Sequence, residues 1–168
     1  MGTVSETRRL PFNSAVETGL KALVVLAEAY PRSYPLETLV IFDYLLVHSG
    51  DVDQSTTSLH PPTPMRSGEL VVRRELVEAG LRLYSSRGLL QTEYNANGIE
   101  YAATEDSAPF LQSLDAGYVK ELRSAAVWLV QSFGTASPQS LRKLVDERLG
   151  VWGTEFLVDT ENGGWAKS

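Results

Sequence analysis

The stretch from Ser67 to Thr104 constrains the fold most. Leu70, Val77, Leu81 and Tyr84 recur on one helical stripe between Ser67, a capping residue, and Gly88, with Val72, Leu76 and Leu83 alongside. Two short alternating runs then flank Asn97-Gly98, a preferred dipeptide for a two-residue hairpin turn. A type I′ turn there would pair Ala96 with Ile99, Tyr94 with Tyr101 and Thr92 with Ala103 on one face. The opposite face would pair Asn95 with Glu100 and Glu93 with Ala102, which leaves one face apolar and the other polar. Thr104 reads as the cap of a further helix through Phe110, Leu111 and Leu114. Helix, hairpin and helix in this order are the mark of a winged helix, a shape associated with DNA. The charge disagrees with that association. No Lys or Arg occurs from Gly88 to Val119, whereas Glu93, Glu100, Glu105, Asp106 and Asp115 all do. Phosphate contacts come mainly from Lys and Arg, so a wing that touches DNA should be basic.

The flanking sequence is also helical in pattern. Ser14 and Glu17 have capping-box spacing, and Val16, Leu20, Leu23, Val24, Ala27 and Tyr30 follow at helical intervals until Pro31 and Pro35. A second helix from Leu36 is apolar on nearly every side through Leu39, Val40, Ile41, Phe42, Leu45, Leu46 and Val47, which implies burial, and Gly50 would end it. Residues 51–66, with Pro61, Pro62 and Pro64, read as a long loop. A helix from about Asp115 to Phe133 carries Tyr118, Leu122, Ala125, Leu129 and Phe133 on one stripe and stops at Gly134. Ser137-Pro138 then opens a last helix through Leu141, Leu144, Val145 and Leu149. The expected fold is mainly α with one small β-hairpin: a winged-helix-like core with additional N- and C-terminal helices. Residues 1–10 form a flexible tail, 11–150 a single winged-helix-like helical domain, and 151–168 a C-terminal tail. Trp152, Phe156 and Leu157 in that tail either fold back on the core or enter a partner's groove.

Composition narrows the function classes. A net charge of −6 opposes non-specific attraction to nucleic acid or anionic lipid. The chain has no cysteine, which excludes disulfides, zinc–thiolate sites and thiol nucleophiles, and fits a reducing, cytoplasmic setting. No signal-peptide pattern or membrane span is read, and Glu6 occupies the position where myristoylation after Gly2 needs Ser or Thr.

Catalytic constellations are also missing. His48 and His60 have no paired nucleophile or ligand set. Asp51, Asp53 and Ser55 imitate the start of a calcium loop, but Thr56 and Pro62 stand where Gly and Glu are needed. Asp43 interrupts an apolar helix, so its carboxyl must find donors or stay protonated, and pairing to an Arg or to backbone amides is expected ahead of a catalytic acid. The expectation is a protein without catalysis, cofactor or metal.

The best basic feature is Arg66, Arg73, Arg74, Arg82 and Arg87, interleaved with Glu69, Glu75 and Glu78. Glu69–Arg73, Arg74–Glu78 and Glu78–Arg82 have the i,i+4 spacing of surface pairs. Arg73 and Arg74, adjacent at mid-helix, are the pair that meets either a partner's carboxylates or phosphates.

Two segments are distinctive as wholes. One is the run Leu39 to Asp53. The other runs from Ser58 to Arg74, ahead of the Gly-Leu and Ser-Arg-Gly-Leu-Leu turn and the Asn-Gly-Ile hairpin. Together they resemble the middle component of bacterial ABC three-component systems, a group that includes Lamassu-type anti-phage defence. The resemblance covers about residues 10–134. It implies a small non-enzymatic subunit that binds an SMC-like ABC ATPase and an effector, and it carries over no catalytic residue. The competing expectation is a winged-helix transcription regulator that reads DNA through Arg73 and Arg74.

Overall fold

The computed structural model describes residues 14–47 and 67–149, without the side chains of 67–71 and 145–149. The first helix, α1 (Ala15–Ala29), starts where the sequence places its cap: Ser14 Oγ accepts from Glu17 N at 3.2 Å. A two-residue strand, β1 (Ser33–Tyr34), follows, and then α2 (Leu36–Val47). The third helix, α3 (Ser67–Ser86), leads into β2 (Leu90–Asn95) and β3 (Gly98–Ala103). Three more helices complete the described chain: α4 (Ser107–Ser113), α5 (Gly117–Phe133) and α6 (Pro138–Leu149). The expected Gly50 terminus and the 51–66 loop lie outside the described residues.

Why α2 is apolar on all sides follows from its place. It packs against α1, α3, α5 and α6, so every residue from Thr38 to Val47 is buried. One hydrophobic cluster takes Leu23 and Leu26 from α1, Phe42 and Leu45 from α2, Leu81 from α3, Leu90 from β2, Leu122 and Leu129 from α5 and Leu141 from α6. The closest helix pair is α1 with α3. They meet at Gly19 and Gly80, where a Cβ on Gly80 would lie 2.6 Å from Gly19 Cα. Glycine inside a helix costs about 1 kcal/mol relative to alanine, and here the missing Cβ permits the approach.

The sheet has the order β1–β3–β2, antiparallel throughout. Its third strand, β1, was not anticipated. It pairs Ser33 with Ala102 and Tyr34 with Tyr101 along the outer side of β3. Two residues between Pro31 and Pro35 carry no readable alternation, and only the free edge of β3 makes them a strand.

The hairpin forms, but in another register. Ala96 and Asn97 are the turn residues, and neither has the positive φ that a type I′ turn requires at both central positions. Within the hairpin only Gly98 takes a positive φ, +113°. Asn95 Oδ1 accepts from Asn97 N at 2.8 Å, the Asx contact that favours a turn starting at Asn95. Tyr94 therefore faces Ile99, Thr92 faces Tyr101 and Leu90 faces Ala103. Each partner moves by two residues, an even step, so the apolar and polar faces stay as expected.

The helix after the wing starts later than expected. Its first residue is Ser107, and Thr104 Oγ1 instead donates to Gly88 O at 2.7 Å and accepts from Asp106 N at 3.3 Å. The buried stripe of α5 is Val119, Leu122, Ala126 and Leu129, which leaves Tyr118, Ala125 and Phe133 half-buried at its border. Ser137 caps α6 as expected, accepting from Ser140 N at 3.0 Å with Pro138 in the first helical position. Arg142 then clamps α6 to α2 through Glu37, with Nε and Nη2 donating to the two carboxylate oxygens at 2.8 and 3.0 Å.

Candidate functional site

Asp43 sits among apolar neighbours on α2 and is 5% exposed. Two cations from different helices reach it. Lys21 Nζ, from α1, lies 3.1 Å from Oδ1, and Arg73 Nη1, from α3, donates to Oδ2. Burial alone would push this carboxyl upward, but Lys21 and Arg73 outweigh it and hold the group below its ordinary range. The Arg73 guanidinium also lies over the Tyr44 ring, 5.6 Å from its centre. Glu17, one turn before Lys21, is pushed up by burial, against a hydrogen bond with Tyr118 and the Lys21 charge. Burial and the nearby Glu17 likewise raise the Tyr118 phenol. The sequence marked Asp43 as needing an Arg or amides. It missed Lys21; a single lysine in an apolar run, spaced four from Glu17, was the available signal.

This ion trio decides what α3 presents outward. Arg73 is committed to the interior, with 19% of its side chain exposed. Arg74 is half-buried, and its Nη1 is enclosed without a hydrogen-bond partner among the described residues. Among the described side chains of α3 the exposed positions are Val72, Glu75, Glu78, Arg82, Ser86 and, just beyond, Arg87. Between Val72 and Ala79, then, the exposed charges are carboxylates. The expected surface pairs differ as well. Among the described residues no ion pair joins Arg74 to Glu78 or Glu78 to Arg82, and the side chain of Glu69 lies outside them.

Beside α3 stands the β2–β3 hairpin. Its apolar face is continuous with the core at Leu90 and Ala103, passes Thr92 and Tyr101, and ends in the open pair Tyr94 and Ile99, 78% and 51% exposed. Tyr101 is raised mainly by burial and also by Glu78, against Arg82, so this face lies within electrostatic reach of α3. On the other face Glu93 opposes Glu100 directly. Like charges in that position repel. Each carboxylate finds a neutral donor, Gln91 Nε2 to Glu93 at 3.2 Å and Ser33 Oγ to Glu100 at 2.6 Å. Nothing on this hairpin is cationic.

Of the residues singled out from sequence, Arg73 and Arg74 are placed as above. Trp152, Phe156, Leu157, His48 and His60 lie outside the described residues. Among the described residues no group of His, Asp or Glu has the arrangement to hold a metal ion, and no helix is long and apolar enough to cross a membrane.

No curated protein and no solved structure matches the chain. The resemblance carried by the 39–53 and 58–74 segments is matched at family level, because the family model for the ABC-three component (ABC-3C) system Middle Component 2 covers residues 11–155. With helices α1 to α6 and the three-stranded sheet all inside that span, the chain belongs to the Middle Component 2 family of ABC three-component systems.

Proposed function

We propose that this protein is a non-enzymatic adaptor subunit that links an SMC-like ABC ATPase to an effector in a bacterial anti-phage defence complex. Its winged-helix core serves as a docking scaffold for protein and not as a reader of DNA. Family membership supports a place in a multi-component system and hence protein partners. The observation that carries the rest is the inward turn of Arg73 onto Asp43. It removes the central cation from the helix that a DNA-reading winged helix would lay in the groove. Glu75 and Glu78 remain on that face, next to a wing without a single Lys or Arg.

The test is co-expression of the full chain with the products of its two neighbouring genes, followed by purification through a tag on this chain. A stoichiometric complex with the ATPase is the expected result. Recovery of the chain alone, under conditions where the ATPase is soluble, would overturn the adaptor reading.

A further inference from the structure

The Tyr94–Ile99 pair ends an apolar face that begins inside the core. Among the exposed large hydrophobics of the described residues, these two lie directly opposite one another on neighbouring strands. This tyrosine and isoleucine at the hairpin tip keep 78% and 51% of their surface exposed, so much of their apolar area is available to another surface. Tyrosine is also the residue type that most often anchors protein contacts, because it brings much area and few torsions.

The charges around the pair select the partner. Glu78 and Arg82 of α3 adjoin Tyr101, the next residue inward on the same face, and Glu75 is exposed one turn from Glu78. From Gly88 to Val119 there are five carboxylates and no cation. A second copy of the same surface would bring like charge against like charge. The chain's own 150–168 segment is apolar but carries Glu155, Asp159 and Glu161 against Lys167, so it too is acidic. Complementarity calls for an apolar segment that bears lysines or arginines.

We propose that Tyr94 and Ile99, with Glu75 and Glu78 of α3, form the docking site for a basic amphipathic segment of another protein subunit of the complex. The proposal rests on the adaptor reading and names the surface that reading leaves open. The apolar pair supplies the anchor. The carboxylates set the register and repel acidic competitors. Among the described residues Arg82 is the cation at the border, and it would meet an acidic or hydroxyl group at the segment's end.

The experiment uses the full chain co-expressed with both neighbouring gene products. The Tyr94→Ser/Ile99→Ser variant should keep its thermal midpoint, since both side chains are exposed in the free protein. Its affinity for the partner should fall on the order of tenfold or more, as for loss of an interface anchor. Glu75→Lys/Glu78→Lys should weaken the same complex and flatten its salt dependence. A photo-crosslinking phenylalanine in place of Tyr94 should join a lysine- or arginine-bearing peptide of the partner. If the unaltered chain co-purifies and the wing variants bind equally well, this surface is wrong and the adaptor reading stands. If the unaltered chain does not co-purify, both fall. A cross-link confined to residues 1–13, to residues 150–168 or to a second copy would overturn the proposal and give the surface to that occupant.

Discussion

Arg73 on α3 donates to Asp43 on α2, and Lys21 on α1 meets the same carboxylate from the other side. Three helices are thereby joined through one buried anion. Removing one partner of such a cluster leaves the rest uncompensated. Asp43→Ala is expected to cost about 3–5 kcal/mol, because it strands two cations against an apolar interior. Arg73→Met should cost less, since Lys21 still neutralises the aspartate. Urea titrations of the two variants give both numbers, and equal losses would argue against Asp43 as the shared centre.

The same carboxylate predicts a pH dependence. The folded pKa of Asp43 lies below its unfolded one, so the folded chain binds that proton less readily. Its contribution is therefore present above the unfolded value, about 4, and is lost as pH falls from there through the depressed folded value. Glu17 has the opposite sign. Burial raises it, so its contribution is present below its ordinary value and lost as pH rises through the folded one. Stability of the unaltered chain should drop below about pH 4 as Asp43 and other carboxylates take up protons. Asp43→Asn should be weaker at neutral pH with a flatter acid limb. Glu17→Gln should leave the acid limb in place and lose less stability than the parent as pH rises above the ordinary carboxylate value, about 4. An Asp43→Asn acid limb as steep as the parent's would contradict the assignment.

Helix crossing at Gly19 and Gly80 makes a local prediction. Gly80→Ala would place a methyl 2.6 Å from Gly19 Cα and 2.9 Å from Ala15 O, contacts that only a shift of α1 relieves. Such overpacking typically costs about 1–3 kcal/mol, which outweighs the gain in helix propensity. At Gly117, which has open space around the added methyl, alanine should be neutral or slightly stabilising. The thermal midpoint should fall for Gly80→Ala and stay unchanged or rise slightly for Gly117→Ala.

The last described helix depends on a bidentate contact. Arg142→Ala removes the clamp to Glu37, in which both side chains are partly shielded from solvent. A loss of about 1 kcal/mol is expected, at the upper end for ion pairs of limited burial. Amide hydrogen exchange should speed up in α6 more than in α2, whose burial does not depend on this pair. Uniform acceleration across both helices would count against a local role.

How much of this was legible in the sequence depends on the range of the forces involved. Ser14, Ser137-Pro138 and the all-round apolar α2 were readable because a cap and a buried helix announce themselves within a few residues. The hairpin was readable as a hairpin, but its register turned on the sign of φ at two residues. Ala96 and Asn97 stay negative and Gly98 alone goes positive, a choice that the Asn95 side chain helps to settle. β1 was not legible, since Ser33 and Tyr34 are a strand only against Ala102 and Tyr101, far along the chain. The largest difference concerns Arg73. Local spacing offered it a carboxylate four residues back or a partner outside, and neither rule can see Asp43 thirty residues away across a helix interface. The candidate surface suffers the same limit. Tyr94 and Ile99 were on the apolar face in either register, and only the fold leaves them beyond the edge of the core.

Duplex-DNA binding by the full chain, followed from low to physiological salt, tests the central claim most directly. A protein that docks other proteins through an acidic wing and a carboxylate-bearing α3 should show no saturable binding even at about 50 mM salt, where phosphate contacts are strongest. Tight binding that falls steeply as salt rises, and that weakens further in an Arg74→Ala variant, would contradict the account.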